Sequence, residues 1–266
     1  MAHHFCFFKM FTRSGTVVIA AIAIAVSWAP AAVAQTTGAS TAETLKWGLG
    51  AGVIVYQKAY RDIDRSVIGL PLISYENKWI SASVPTLDLK LFSGESVSWR
   101  LRARYAGDGY EADDSPFLAG MDERKGSMWV GGAVIWKTGI ANVSAELLAD
   151  ALGNSKGTRA KLQADRRFAL GSFGITPLLA AEWVDSKFVE YYYGVKTSEV
   201  RSGRGFYEGD ATANIEGGVR VDYTPTRHHT LFLDLRATQF GSGIKDSPLV
   251  DQSHQTAISL GYLYHF

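Results

Sequence analysis

Residues 254–266, the last stretch of the chain, alternate between two kinds of side chain. Counted back from the terminus, one set is largely apolar or aromatic: Phe266, Tyr264, Tyr262, Leu260, Ile258 and Thr256. The other set is mostly small or polar: His265, Leu263, Gly261, Ser259, Ala257 and Gln255. A period of two residues places the sets on opposite faces of a β-strand. Such a strand suits lipid on one side and a wet interior on the other, although an edge strand of a soluble β-sandwich has the same pattern.

The same alternation recurs along the chain after residue 44. It is found in segments 45–56, 97–105, 141–147, 160–168, 173–183, 213–223 and 231–237. Aromatic residues stand near the ends of the apolar faces, where membrane proteins have interfacial belts: Trp47, Trp99, Trp183, Tyr105, Tyr223 and Phe266. A soluble sandwich would need a second sheet to cover these faces. The pattern therefore predicts an all-β fold, a transmembrane antiparallel up-and-down β-barrel.

Short and long connections between these strands alternate. Segments 92–95, 137–139, 170–172 and 224–227 read as tight turns, whereas 107–126, 185–210 and 241–254 are long and polar. Short periplasmic turns and long extracellular loops are typical of outer-membrane barrels. Around Pro85 the apolar face changes from even to odd positions, which indicates a bulge or a turn. We predict a turn there and about twelve strands, which places both ends of the chain in the periplasm; ten strands is the alternative.

The amino terminus has the features of a secretory signal peptide. Lys9 and Arg13 precede an apolar run over 16–26, and Ala32 and Ala34 follow it in an Ala-x-Ala arrangement. Cleavage is predicted between Ala34 and Gln35. The sequence thus divides into a signal peptide (1–34), a disordered periplasmic leader (35–44) and an outer-membrane β-barrel (45–266).

Composition excludes several classes of chemistry for the exported chain. The one cysteine, Cys6, lies in the signal peptide, so disulfides and thiol chemistry are not expected after cleavage. Loss of Lys9 and Arg13 with the signal peptide takes the formal net charge from +1 to −1, which gives no electrostatic case for binding nucleic acid. No cofactor is predicted.

Charged residues lie on the faces that we assign to the barrel interior. The candidate lumen residues carry both signs: Arg100, Arg102, Arg104, Glu146, Glu182, Glu216, Arg220, Asp234 and Arg236. Asp165 and Asp222 point the same way. One interpretation is a cross-strand network of ion pairs that fills a narrow lumen. The other is a polar conduit, or a pocket for an acidic solute, built on the row Arg100, Arg102 and Arg104.

Four further motifs give weaker signals. Ser253 and His254 are adjacent on an extended strand and point to opposite faces, so with Asp251 they do not form a catalytic set, and no catalytic residue is predicted. His228 and His229 lie in a predicted turn, and no metal site is expected there. The repeated Asp-Ser-Pro at 114–116 and 246–248 favours turn initiation. The segment 191–193, Tyr-Tyr-Tyr, is interpreted as an aromatic rim where a strand leaves the bilayer, with a recognition patch as the alternative.

Several segments together resemble the MipA/OmpV family. They are 60–62, 70–75, the stretch 114–124 (DSPFLAGMDER), 191–195, 202–204 with Tyr207, and 246–250. The family usually has Gly-Ser-Asp after its early tyrosine, whereas this chain has Arg61-Asp62-Ile63 and Asp64. The resemblance implies an outer-membrane barrel whose named member is a scaffold between a lytic transglycosylase and a murein synthase.

A chain that stops on phenylalanine after such a strand also resembles the carboxy-terminal signature read by the barrel-assembly machinery. Tyr262, Tyr264 and Phe266 are therefore the predicted assembly signal. The expected function is a non-enzymatic scaffold in the outer membrane, linked to murein synthesis and turnover. The alternatives are a small channel or solute-binding barrel that uses the arginine row, and an adhesin that uses the long loops.

Overall fold

A computed structural model describes residues 46–63 and 65–266. Its strands are β1 (Lys46–Tyr56), β2 (Ser66–Glu76), β3 (Ile80–Ser83), β4 (Thr86–Ser93), β5 (Val97–Ala106), β6 (Ser127–Lys137), β7 (Asn142–Asp150), β8 (Thr158–Asp165), β9 (Phe168–Leu170), β10 (Phe173–Val184), β11 (Thr212–Thr226), β12 (His229–Gln239) and β13 (His254–His265). Two short helices, α1 (Ser186–Tyr193) and α2 (Ser242–Lys245), lie between strands. The predicted signal peptide, its cleavage site and the leader lie outside the described residues.

The strands form one closed antiparallel sheet. Each strand pairs with its neighbours in the chain, and β13 pairs with β1 from Gly48 opposite His265 to Tyr56 opposite Ala257. β8 and β9 both pair with β10 and together make one interrupted strand of the wall. The wall therefore has twelve strands, and the predicted barrel and its strand number are confirmed.

The turn predicted at Pro85 is present. The Val84–Pro85 peptide is cis and joins β3 to β4 in a tight hairpin, with Ser83 opposite Thr86. The change of parity in the sequence therefore marks the end of one strand and the start of the next. A separate irregularity in register occurs between Lys90 and Phe92, where β4 pairs with β5.

Apolar side chains cover the outside of the barrel. Leu231, Leu233 and Leu235 are exposed on β12, and Ile258 and Leu260 on β13. Charged and polar residues at the intervening positions are buried in the interior, including Asp234 and Arg236. This is the inversion that lipid imposes on a barrel, since the polar face must turn away from hydrocarbon. Among the described residues no helix has the length and apolarity needed to cross a membrane.

The connections separate into two ends, as predicted. β1 begins and β13 finishes at the end that has the short turns, and by the usual pattern of outer-membrane barrels this end faces the periplasm. The long connections at the other end are folded rather than open. They pack into one apolar cluster, which we call the cap, and its buried members include Tyr60, Leu118, Phe188, Tyr192, Ile244 and Leu249.

The cap corrects the interpretation of Tyr191, Tyr192 and Tyr193 as an aromatic rim. These residues end helix α1, whose first turn is capped by the Asp185 carboxylate accepting from the Phe188 N–H. Phe188, Val189, Tyr192 and Tyr193 are buried together on one side of this helix. The tyrosines therefore pack in the cap and do not form a rim at the end of a strand.

Candidate functional site

A group of five ion-paired side chains occupies one side of the lumen. Arg102 donates from Nε and Nη2 to the two carboxylate oxygens of Asp88, at 2.8 Å each, and from Nη1 to Glu146 at 2.6 Å. Arg104 donates to the other oxygen of Glu146 at 2.6 Å. Arg100 donates to Asp88 at 3.0 Å. The predicted arginine row is thus held by carboxylates and does not face an open conduit as a row of free cations.

Two further groups continue the interior on the neighbouring strands. Arg159 donates to Glu182, at 2.7 Å for the shorter contact, and to Asp108 at 3.1 Å. Glu216 accepts from Lys161 at 2.8 Å and from Arg236 at 2.6 Å. Arg236 also donates to Asp234 at 2.7 Å. The candidate residues therefore join into local groups in which each buried cation faces a carboxylate, as burial of charge requires.

Arg220 stands apart from these groups. Its guanidinium lies 4.0 Å from the centre of the Phe232 ring, a cation–π contact across β11 and β12. Asp222, two residues further along β11, is paired with Arg167. Both contacts are near the periplasmic end of the lumen.

Sequence reasoning did not include three interior residues among its candidates. Asp88 holds two of the three arginines of the row, and Arg159 and Lys161 are almost fully buried. Asp88 could have been found, because Leu87, Leu89 and Leu91 set the lipid face of β4 and leave Asp88 and Lys90 on the other.

A small, partly open cavity lies between the lumen and the cap. Its volume is about 80 Å³, and it is lined by Asp108, Arg159, Glu182 and Glu216 from below and by Phe188 and Tyr193 of the cap. At roughly 30 Å³ for each water in the liquid, the cavity has room for two or three water molecules. Burial raises the pKa of Asp108 above its usual range, although the adjacent Arg159 opposes this shift.

Hydrogen bonds between separate loops hold the cap together. Arg124 donates to both oxygens of Glu199, at 2.9 and 3.0 Å. The Tyr60 hydroxyl lies 3.1 Å from the carbonyls of Asp108 and Tyr192. Burial alone would raise the pKa of Glu199, but N–H donors of Asp122 and Lys196, together with Arg124, lower it below the usual range.

The two Asp-Ser-Pro motifs have the same role in the cap. The hydroxyl of Ser115 donates to the Arg61 carbonyl at 3.0 Å, and that of Ser247 donates to the Tyr193 carbonyl at 2.6 Å. Each hydroxyl also accepts from an N–H a few residues further along, from Leu118 and Leu249 respectively. Each motif thus closes its own turn and ties it to another loop.

The residues considered for catalysis or metal binding take part in backbone structure. The Ser253 carbonyl accepts from the Phe240 N–H at 2.9 Å, and the Asp251 N–H donates to Ala59 at 3.2 Å. His228 Nδ1 lies 2.8 Å from the His265 carbonyl, and His229 Nδ1 lies 2.7 Å from the Tyr262 hydroxyl. Within residues 46–63 and 65–266, no group of three or more metal-binding side chains is arranged to hold an ion.

The predicted assembly residues lie beside the seam that closes the barrel. Phe266 stacks on Trp47 of β1 with ring centres 3.8 Å apart and planes 8° from parallel. Tyr264 meets Phe266 edge-on at 4.9 Å, and the Phe266 N–H donates to the Trp47 carbonyl at 3.0 Å. The last residue thus contacts the first strand.

A closed barrel with an apolar outer wall, a charged interior and long loops at one end defines an outer-membrane β-barrel protein. The profile of the family described as MltA-interacting protein MipA matches residues 49–266, so the chain belongs to this family. It is 30% identical over 241 residues to the MltA-interacting protein of Escherichia coli (strain K12), covering 88% of this chain and 95% of the relative. It is 24% identical over 223 residues to the outer membrane protein OmpV of Vibrio cholerae, covering 83% and 87% respectively.

Among solved structures, the barrel is similar to the COG4313 outer membrane channel from Pseudomonas putida F1. The match has 13% sequence identity and a TM-score of 0.42, and it covers 85% of this chain and 97% of the channel. The NanC porin matches with 8% identity and a TM-score of 0.41, over 83% of this chain and 99% of the porin. The family and the relatives place this chain in the outer membrane.

Proposed function

We propose that this protein is a non-enzymatic and non-conducting barrel that docks a lytic transglycosylase, and with it a murein synthase, at the inner surface of the outer membrane. The observation that carries the proposal is the filled interior, where ion pairs join β5 to β7 inside the lumen and the cap closes its extracellular end. A relative of nearly the same length is named for its interaction with MltA, which supports the choice of partner.

The docking surface is the periplasmic end of the barrel. Both ends of the described chain lie there, and several large apolar side chains stand at or beside its turns, including Trp79, Phe92, Ile140 and Leu170. Ile140 follows Gly139 in the β6–β7 turn and is 73% exposed, more than any other large apolar side chain among the described residues. An exposed apolar side chain at a turn tip is a natural anchor for a partner.

A binding measurement tests this proposal. Refolded protein immobilised in detergent should retain an MltA-type lytic transglycosylase, and the Ile140→Asp variant should retain less of it. Leu152→Asp, at an exposed turn on the extracellular side, is the matched control and should bind as the wild type does. Absence of binding by folded wild type, or equal binding by both variants, would contradict docking at this end.

Conductance separates docking from transport. Folded protein in a planar bilayer should show no steady current steps. Steps that change when Arg100, Arg102 and Arg104 are replaced by serine would instead establish a channel along the arginine row.

A further inference from the structure

The barrel wall is incomplete toward its extracellular end. β2 pairs with β1 along its whole length, from Lys46 opposite Glu76 to Tyr56 opposite Ser66. On its other side it pairs with β3 only over Ser74–Glu76, and one further bond joins the Val84 N–H to the Ile73 carbonyl. In the described part of the chain, residues 66–72 of β2 therefore have no neighbouring strand on this side.

We call the resulting opening the lateral window. Its lower border is the β3–β4 hairpin at Val84–Pro85, and its far side is the end of β5, which stops two residues past Arg104. The free edge of β2 is roughly 20 Å long at about 3.3 Å per residue, and three strand spacings of about 4.8 Å separate β2 from β5. Above the window, Lys58 donates to the Gly109 carbonyl at 2.5 Å and joins the loops that follow β1 and β5.

The free edge presents backbone polar groups to the window. The Ile73 carbonyl is bonded toward β3, and alternate residues of a strand direct their backbone groups to the same side. The backbone polar groups of Pro71, Gly69 and Val67 therefore point into the window. Pro71 has no N–H, as suits an open edge, but Gly69 and Val67 each offer a donor. Within a membrane such donors need a polar partner.

The surroundings of these donors are apolar. Val67 is 67% exposed, and a side chain added at Gly69 would meet no atom within 4 Å. Behind the edge, the half-buried Ile68 and Leu70 pack on a small cluster that contains Ile54 and Tyr56. The window thus joins the outer leaflet to an apolar strip of the interior wall.

Cations lie in the loop at the upper border of the window, between β1 and β2. The loop between β1 and β2 contains Lys58, Arg61 and Arg65 against two carboxylates, Asp62 and Asp64. The Arg61 guanidinium lies 4.8 Å from the centre of the Phe117 ring, and its Nε is buried without a hydrogen-bond partner. Arg65 is exposed and directly precedes β2.

We propose that the lateral window binds the phosphorylated, acylated glycolipid of the outer leaflet. One acyl chain lies along Val67 and Gly69 and reaches Ile68. Oxygen atoms of the ester, amide and hydroxyl groups at the root of the chain accept from the Val67 and Gly69 N–H groups. Arg61 and Arg65 hold the phosphate, since guanidinium matches phosphate geometry.

A second copy of this chain is a poorer occupant of the window. A two-fold axis along the membrane normal would set each N–H of the free edge opposite the same N–H of the partner, which forms no ladder. The lipid site lies at the opposite end of the barrel from the proposed docking surface, so failure of one proposal would not affect the other.

Native mass spectrometry of protein purified from outer membranes tests the site. The wild type should retain a phosphorylated glycolipid. Gly69→Trp, which covers the window, and the double change Arg61→Gln with Arg65→Gln should each reduce retention by about tenfold or more, since the loss of a single charge-assisted contact already accounts for a factor of about ten. Gly132→Trp is the matched control, because Gly132 also lies on the outer face of a strand with no atom within 4 Å of an added side chain.

Lys187→Gln with Lys245→Gln controls for the loss of two exposed extracellular cations, and both controls should retain lipid as the wild type does. Folding of every variant is checked by its heat-dependent shift on a gel. Retention that is equal in all variants would overturn the proposal. So would a photoreactive side chain at position 69 that cross-links to a polypeptide and not to the glycolipid.

Discussion

Glu146 of β7 bridges two arginines of β5 inside the lumen. Its two oxygens accept from Arg102 and Arg104, and all three side chains are buried. Arg104 has no other ion pair within the described residues, and its Nε and Nη1 are buried without hydrogen-bond partners. Removing one partner from a buried pair leaves an uncompensated charge, which costs more than the pair itself contributes.

Replacing Glu146 by leucine should therefore lower the free energy of unfolding by about 3–5 kcal/mol. Urea unfolding of the refolded barrel in detergent, followed by tryptophan fluorescence, measures the change. Glu95→Leu, at an exposed turn, serves as the control and should leave the midpoint within experimental error. Equal midpoints for the two variants would mean that Arg102 and Arg104 do not depend on Glu146.

Helix α1 shows where strand periodicity is insufficient. Tyr191–Tyr193 extends an aromatic pattern that a strand-based interpretation assigns to the membrane boundary. The better signal was the Asp185 cap followed by Phe188 and Tyr192 four residues apart, which is helical spacing. Because the strand pattern dominates the rest of the chain, a helix of eight residues inside a long loop was not expected.

β2 limits sequence reasoning in a different way. Ile68, Leu70 and Leu72 point inward, whereas Val67 and Ile73 point outward, so both faces of this strand are apolar. The period of two is then hidden, although it is clear in β12, where Asp234 and Arg236 alternate with leucines. The polar pattern fails where the lumen wall itself is apolar, and this is the wall beside the window.

The cap should loosen at low pH because of Glu199. Its pKa is depressed in the folded cap, so its stabilising contribution is complete above the ordinary carboxyl value of about 4.3 and is lost as pH falls through the lower folded value. Protonation removes the acceptor for Arg124. The hydrogen-exchange protection factors of segments 107–126 and 185–211, which correct for the pH dependence of intrinsic exchange, should therefore fall as the pH is lowered toward 3.

The Glu199→Gln variant isolates this titration. Its cap should have lower protection factors than the wild type at neutral pH and show no further fall over the range in which Glu199 titrates. A fall of the same size in both proteins would assign the loosening to other carboxylates of the cap.

Closure of the barrel depends on the ends of the chain. Gly50 lies so close to β13 that an added Cβ would be 1.9 Å from the Tyr262 carbonyl, so the seam requires a residue without a side chain. Phe266 extends the same seam through its stack on Trp47. The barrel and its twelve strands follow from period, turns and parity. The sequence does not predict which cation pairs with which carboxylate, because such pairs depend on the register between strands.

Deleting Phe266 should reduce the amount of folded barrel in the outer membrane, because both the stack on Trp47 and the terminal signal are lost. The amount of folded barrel is measured in membrane fractions as the protein band whose position on a gel shifts on heating. Phe173→Ala removes another exposed aromatic residue of the wall and should assemble normally. Normal assembly of the deletion would show that recognition does not use the last residue.

The cap has a consequence for the order of events during insertion. The Tyr60 hydroxyl bonds to the carbonyl of Tyr192, 132 residues away, and loops from different parts of the chain share one core. No single loop can form that core while it crosses the membrane, so it forms only after the last hairpin has arrived. A packed cap therefore marks a molecule whose last hairpin has already crossed the membrane.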